Sequence, residues 1–390
     1  MSLSEDKKIS EKHKMLRSIC DELGIPNLVE VLAETPLRRL QPILINAWKR
    51  RSTERKATDV LNEYDSKKQF YGAGSIPQNQ LMNFVQTCYS AMPSNFDFVE
   101  MSPIVPFGVN TVLSNISQNK TLSTIRGSEV VGDATTQLSL ECASRRKKLS
   151  VNVATVMQNV HLCSSQRVVR LQPFDSSKGY MQHFNLFGLC SGGRNSVSKA
   201  FAIEWIKEHI SILLDILMAL GRKKYSFDNI SVRISDLRFI EQIASSLEIP
   251  RDSIIRQSAD EDFNFFREFK VDFPEEVETI SSISAETFTH CGLVDQTQYF
   301  SHLEEGIIGP IRKKYQNVHF CFDFSRKDGL GYYPHICFHI FAKTQDGRCV
   351  QLADGGAVDW LAKLLNNKKE AMVTSGIGSE LIQKLFSPKV

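Results

Sequence analysis

Apolar residues at Leu81, Phe84, Val85 and Cys88 recur at helical spacing, which predicts an amphipathic helix over residues 80–91. Over 204–220, Lys207, Glu208, Ser211 and Asp215 share one face and the remainder is apolar, with Gly221 as a stop; this is the clearest helix in the chain. The spacing predicts further helices over 237–247, ending before Pro250, and over 360–365 and 380–386, the last entered through Ser375-Gly376-Ile377-Gly378. Upstream, 28–51 carries a helical period that Pro36 and Pro42 are expected to break. Strand texture begins at 96–101. It continues in the β-branched runs 121–125 and 151–157, in 167–172, and in 178–190 after a loop through Pro173, Asp175 and Gly179. A short strand is expected at 230–234, and 252–284 is charged and aromatic without a clear period. Val318, Phe320, Phe322 and Phe324 alternate with polar residues, as do Ile336, Phe338 and Ile340. That pattern predicts a hairpin of two half-buried antiparallel strands around a loop at 326–331. Helices interposed irregularly among strands imply an α+β fold with an antiparallel sheet.

Composition narrows the class. A chain of 390 residues, 42% hydrophobic and 23% charged, can bury a large core and is not disordered. The net charge of +3 gives no basic surface for gripping nucleic acid, and the runs 145–148, 222–224 and 312–314 are short and scattered. The charged N-terminus has no apolar signal segment, and no uncharged apolar run reaches the ~18 residues of a membrane span. Nine irregularly spaced cysteines without a CxxC fit reduced thiols and argue against a structural zinc site. The expectation is a cytoplasmic protein with no membrane contact and no metal. Neither GxGxxG nor a P-loop is present.

From the residues alone, Arg170 is either a phosphate clamp or a strand arginine paired with a neighbouring acid, the commoner arrangement. His335, Cys337 and His339 alternate, so they share a face. Three such groups can hold a metal when unprotonated, but lining a polar cleft is the commoner use. The period places them on a solvent-accessible pocket, opposite buried Ile336, Phe338 and Ile340, and Tyr332-Tyr333 extends the wall of that small-molecule pocket. Cys142, Cys163 and Cys190 have no histidine at triad spacing, which speaks against nucleophilic catalysis. Gly192-Gly193-Arg194 fits a backbone approach to a ligand and a tight turn equally well.

Several segments in fixed order resemble the catalytic core of class II aminoacyl-tRNA synthetases, histidyl-tRNA synthetase most closely. Phe98-Val99-Glu100-Met101-Ser102-Pro103 resembles motif 1, the dimer-forming element. Arg126-Gly127-Ser128-Glu129 is similar to an amino-acid-contacting Arg-Pro-Glu that precedes a threonine. Thr135 stands further away here, with Asp133 as a nearby substitute for Glu129. Arg170-Leu171-Gln172 and His183-Phe184 resemble motif 2, and 231–238 the strand and helix that follow. Gly329-Leu330-Gly331-Tyr332-Tyr333, running on to Cys337-Phe338-His339-Ile340, is similar to a Gly-Leu-Asp-Tyr-Tyr segment. After Gly355-Gly356-Ala357-Val358-Asp359, Gly376-Ile377-Gly378-Ser379-Glu380 resembles motif 3.

The resemblance covers roughly 90–390. It implies a class II synthetase-like core at 91–390, in which 222–317 is a candidate inserted subdomain, behind a helical N-terminal extension at 1–90. It implies a homodimer through 98–103, with Arg170 the catalytic group. Arg170, Phe184, Gln172 and Glu380 would bind nucleotide, and Arg126, Glu129, Tyr332, Tyr333, His335 and His339 would bind substrate. The departures point away from ATP-plus-histidine chemistry. Gln172 replaces a glutamate, Leu381 stands where motif 3 has its adenine-side arginine, Leu186 and Cys190 replace the amino-group ligands, and Gly331 replaces the aspartate. The chain stops ten residues past Glu380, so no anticodon-binding domain is expected, as in the synthetase-like regulatory subunit of ATP phosphoribosyltransferase. Three readings follow. One is a sensing or regulatory protein that binds an amino acid or nucleotide. Another is a ligase using ATP with Mg²⁺ to adenylate a carboxylate for a non-tRNA acceptor. The third is a partner-binding protein whose 1–90 segment is the interaction arm.

Overall fold

The computed structural model describes residues 2–172, 180–195, 200–250, 253–254, 257–258, 260, 262–293, 296–329 and 332–388, with side chains from residue 11 onward. The loop at Pro173, Asp175 and Gly179, and the Leu330-Gly331 pair, lie outside these residues. The chain forms two compact units, Met1–Lys67 with Ser123–Ser128, and Lys68–Leu122 with Glu129–Val390.

The smaller unit carries α1 (Ser2–Glu22), α2 (Leu28–Glu34), α3 (Leu37–Thr53) and α4 (Ala57–Ser66). Pro36 ends α2 as expected, but Pro42 sits inside α3. It lies in the second turn, where it removes the N–H that would reach the Arg38 carbonyl, so the helix continues with one hydrogen bond fewer. Cys20 is the sole buried residue of this unit among those described.

The larger unit is built on a nine-stranded sheet. In chain order the elements are α5 (Lys68–Tyr71), α6 (Gln78–Ser90), β1 (Asp97–Phe98), β2 (Ile104–Pro106), α7 (Val109–Ser114), β3 (Ser128–Val130) and α8 (Ala134–Leu149). They continue with β4 (Val160–Val169), β5 (His183–Arg194), α9 (Ala200–Arg222), β6 (Asp228–Asp236), α10 (Arg238–Ser246), β7 (Glu276–Val277) and β8 (His319–Asp323). The last strands are β9 (Ile336–Lys343), β10 (Cys349–Val358) and β11 (Glu370–Gly378). Strand order across the sheet is β1-β4-β5-β11-β10-β9-β6-β8-β7, and β2 and β3 pair separately. Neighbours are antiparallel except β1 with β4 and β6 with β8. The fold is α+β, with a mixed, mostly antiparallel sheet.

Helices cover both faces. α9 buries Ile206, Ile210, Leu213, Leu214 and Leu217 against one face, where Phe187, Leu189, Val373 and Ile377 point. On the other face α8 and the helix Trp360–Leu365 pack over Leu162, Cys190 and Met372. α9 runs through Gly221, and the left-handed residue beyond it is Lys224, at φ 69°.

Four expectations are corrected. β8 and β9 are not a hairpin, because β6 lies between them, pairing parallel with β8 and antiparallel with β9. Both strands are central, and Phe320, Cys321 and Phe322 are buried together rather than alternately. Residues 151–157 form turns that leave Val151, Val153 and Met157 exposed, and 121–125 forms no strand. The 96–101 segment contributes only the two residues of β1. No helix among the described residues is long and apolar enough to cross a membrane.

Candidate functional site

A cleft of about 460 Å³ opens over β5, β10 and β11 in the larger unit. Phe184, Leu186, Asp354 and Gly376 contribute to its floor, and the start of α8, the Tyr332-Tyr333 pair and the helix Ser379–Phe386 to its walls. Phe184 and Leu186 share a strand face by the two-residue period, and that face is turned from α9.

Arg170 leans its guanidinium over the Phe184 ring, 5.2 Å from the centroid, and donates Nε–H to the Gly132 carbonyl at 2.9 Å. Its Nη2 lies 3.8 Å from Asp133 Oδ2, too long for a hydrogen bond, so the fork keeps donors for a ligand in the cleft. Asp133 is the N-cap of α8, where Oδ1 accepts from the Thr135 backbone N–H at 2.9 Å and its hydroxyl at 2.8 Å. Tyr332 Oη lies 3.1 Å from Thr135 Oγ1 and 3.4 Å from Asp133 Oδ2. Tyr333 donates to Asp354 Oδ2 at 3.0 Å, and the other oxygen of Asp354 accepts from Arg326 at 2.9 Å. Burial, reinforced by these carboxylates, holds both phenols well above their ordinary pKa, so they serve as hydrogen-bond donors. Across the cleft, Glu380 accepts from Arg167 at 2.7 Å and from the Asn185 N–H at 3.2 Å. Arg167 also meets His183 Nδ1 at 2.8 Å, and His183 Nε2 meets the Gly72 carbonyl at 2.8 Å. A donor on one nitrogen and an acceptor on the other make His183 the Nε2–H tautomer.

The sequence-predicted residues divide. Arg170, Phe184, Glu380, Tyr332 and Tyr333 line the cleft; Gln172, Glu129, His335 and His339 do not. Arg126 belongs to the smaller unit, with an exposed side chain. Glu129 is fully buried and accepts from Gly108 N–H at 2.9 Å, Asn110 N–H at 3.3 Å, Asn110 Nδ2 at 2.9 Å and Gln118 Nε2 at 2.6 Å. It anchors the start of α7. The face of His335, Cys337 and His339 is not the open wall the alternation suggested. Cys337 is completely buried, and His339 sits 3.4 Å from Asp354 on the neighbouring strand. Burial, with Arg326 and Arg233 adding to it, pushes the His339 imidazole down to about 2. Alternation failed because that sheet face is also covered.

Asp354 and Arg326 are the groups that sequence reasoning missed. Asp354 stands in Ala353-Asp354-Gly355-Gly356, where a charge beside two glycines marks a packed backbone. Arg326 is buried, stacks 5.5 Å from the Tyr333 ring, and leaves Nη1 buried without a hydrogen-bond partner among the described residues. No signal in the sequence sets it apart from other arginines. Among the described residues no three His, Cys, Asp or Glu side chains are grouped to hold a metal ion.

No protein-family model and no curated protein matches the chain. Solved structures do. An ATP phosphoribosyltransferase regulatory subunit/histidyl-tRNA synthetase from Bacillus halodurans aligns at TM-score 0.58 and 14% identity, over 80% of this chain and 81% of that one. A histidyl-tRNA synthetase from Nostoc sp. aligns at 0.56 and 15%, over 79% and 72%. A histidine–tRNA ligase subunit from Alicyclobacillus acidocaldarius aligns at 0.57 and 13%, over 80% and 94%. The architecture is that of the class II synthetase-like fold. At such identity the likeness concerns the fold.

Proposed function

We propose that the cleft binds a small zwitterionic molecule, an amino acid or a close relative, in a sensing or regulatory role. The observation that carries this is the opposition of charges in one cleft of about 460 Å³. Arg170, propped on Phe184, offers a fork to a carboxylate, while Asp133 and Asp354 with two tyrosine hydroxyls suit an ammonium group. Leu381 lines the same cleft and supplies no cation to stack on a purine. The second reading is the ATP-dependent ligase, favoured by the Arg170–Phe184 stack alone, with Mg²⁺ held by cleft carboxylates.

Thermal-shift screening against the free amino acids and against ATP with Mg²⁺ separates the two. An amino acid is expected to raise the melting temperature and ATP to leave it unchanged. Arg170→Ala removes a charge-assisted contact worth roughly 1.5–3 kcal/mol, so affinity should fall by about 10–150-fold. The ligand-free melting point should barely move. A response to ATP alone that survives Arg170→Ala would sink this reading, and a response strengthened by Leu381→Arg would favour the ligase.

The same reading includes a homodimer through 98–103. Phe98 is exposed within that stretch, and Ile104, Phe107 and Val112 just beyond it are exposed as well, apolar side chains that suit a self-complementary interface. Light scattering at micromolar protein should give twice the 44.2 kDa chain mass. Phe107→Glu should restore the single chain, and a parent that is already monomeric refutes the dimer.

A further inference from the structure

The β-branched run at 151–157 enters neither a strand nor the core. It folds as turns between α8 and β4, with Val151 at 85% exposure, Val153 at 91% and Met157 at 68%. Much of the backbone there is bonded within the turn. The N–H groups of Thr155 and Val156 reach the Asn152 carbonyl at 3.1 and 2.9 Å, that of Gln158 reaches the Thr155 carbonyl at 2.9 Å, and Asn152 Oδ1 accepts from the Ala154 N–H at 2.9 Å. Arg146 fastens the base: its buried guanidinium holds the carbonyls of Val156 and Gln158 together with the carboxylate of Glu370. Lys147 and Lys148 follow Arg146 at the end of α8, and Lys368 and Lys369 precede Glu370 in the turn before β11, so two lysine pairs flank one anchor. All four are exposed, and none has an acidic partner among the described residues. The acids at this end are already engaged, Glu370 by Arg146, Asp359 by Lys363, and both Asp97 and Glu141 by Arg145.

We propose that this tip docks the protein on an anionic lipid bilayer, with Val151, Val153 and Met157 entering the headgroup layer and Lys147, Lys148, Lys368 and Lys369 lying over the lipid phosphates.

A single exposed apolar side chain is ordinary, but three on one turn between unpaired lysine pairs mark an interaction surface. The chemistry of that surface selects the partner. Exposures this high mean that the valines stand clear of their surroundings, and the turn carries no aromatic residue. Protein partners are gripped chiefly through Tyr, Trp and Arg, and lysine is depleted from their interfaces. Single-stranded nucleic acid calls for aromatic stacking, and aliphatic side chains would lie against its phosphates without a match. A bilayer takes both halves of the surface at once. Lysines are drawn to anionic headgroups by the surface potential, and the aliphatic carbon between them leaves water. The internal bonds of the turn help here, because a backbone N–H withdrawn from water without a partner opposes entry. Docking of this kind requires no membrane-spanning helix.

Co-sedimentation of the full chain with vesicles at millimolar lipid tests this. Binding is expected to phosphatidylcholine mixed with phosphatidylserine and not to phosphatidylcholine alone, and about 0.5 M salt should release it by screening the lysines. The double change Lys368→Ala/Lys369→Ala should weaken binding about 30-fold, at about fivefold per lysine. Val151→Asp/Val153→Asp should weaken it at least about tenfold, by losing apolar burial and adding charge that the headgroups repel. Neither pair of changes should move the melting temperature, since these side chains pack on nothing. The fluorescence of Val153→Trp should shift to the blue when anionic vesicles are added. Equal binding to both kinds of vesicle, binding to neither, an unweakened Val151→Asp/Val153→Asp, or an emission that does not shift overturns the proposal. Retention on RNA governed by the lysines and not by the valines overturns it too, and gives the surface to nucleic acid. These measurements involve no cleft ligand, so the docking tip and the function proposed above can fail separately.

Discussion

Glu370→Ala is expected to lower the unfolding free energy by about 3–5 kcal/mol, because it strands a buried guanidinium. Arg146 and Glu370 are both fully buried, and the pair is bidentate, with Nε to Oε2 at 2.9 Å and Nη2 to Oε1 at 2.8 Å. The remaining N–H groups of Arg146 hold the carbonyls of Val156, at 3.1 Å, and Gln158. One ion pair thus ties α8, the turns before β4 and the start of β11 into a single element. Replacing both partners with apolar residues of similar volume should cost less than the single change, since no charge is then left unpaired. As a contrast, Asp97→Ala breaks a surface pair whose side chains are 32% and 68% exposed, and should cost under about 1 kcal/mol. Urea titrations of the four proteins decide it. Equal losses from Glu370→Ala and Asp97→Ala would refute the buried pair as an anchor.

Mild acid is expected to have the other large effect. His161, His209 and His339 are held at about 4, 3 and 2, against about 6.5 for an unfolded histidine. Below about pH 6.5 the unfolded chain binds protons that the folded chain refuses. Stability is therefore complete above that pH and falls on acidification. Each histidine contributes roughly 1.4 kcal/mol per pH unit until its folded value is reached. Between about pH 6.5 and pH 4.5 the three together remove up to about 8 kcal/mol, comparable to the whole stability of a domain. Urea midpoints should drop steeply over that window, and proton uptake on unfolding should fall by about one in His209→Leu. A midpoint constant from pH 7 to pH 5 contradicts the neutral burial of these rings.

Elements buried on one side were legible from the chain itself. α6 (Gln78–Ser90), α9, α10 and β6 follow directly from apolar spacing, because a helix or strand with one solvated face writes its own period. Arg170, Phe184, Tyr332 and Tyr333, which meet in the cleft, were visible through the resemblance of their segments. The rest was not legible, for reasons that lie far along the chain. α8 hides because its buried side includes Thr135, Ser139, Cys142 and Arg146, which write no apolar period; Thr135 meets Tyr332 and Arg146 meets Glu370 on distant segments, while Ser139 bonds back to the Thr135 carbonyl. β10 hides because Gly355 and Gly356 replace the β-branched residues that mark strands, and β11 because Ser375-Gly376-Ile377-Gly378 reads as the entry to a helix. A Cβ on Gly355 would stand 2.5 Å from Phe338 and Ser375, and one on Gly356 2.7 Å from Cys337. Only the packed sheet makes those glycines necessary. The burial of Glu129 and His339, and the insertion of β6 between β8 and β9, were likewise settled by tertiary packing. Local periodicity records whether one face meets water. It carries no record of which distant strand or charge covers the other.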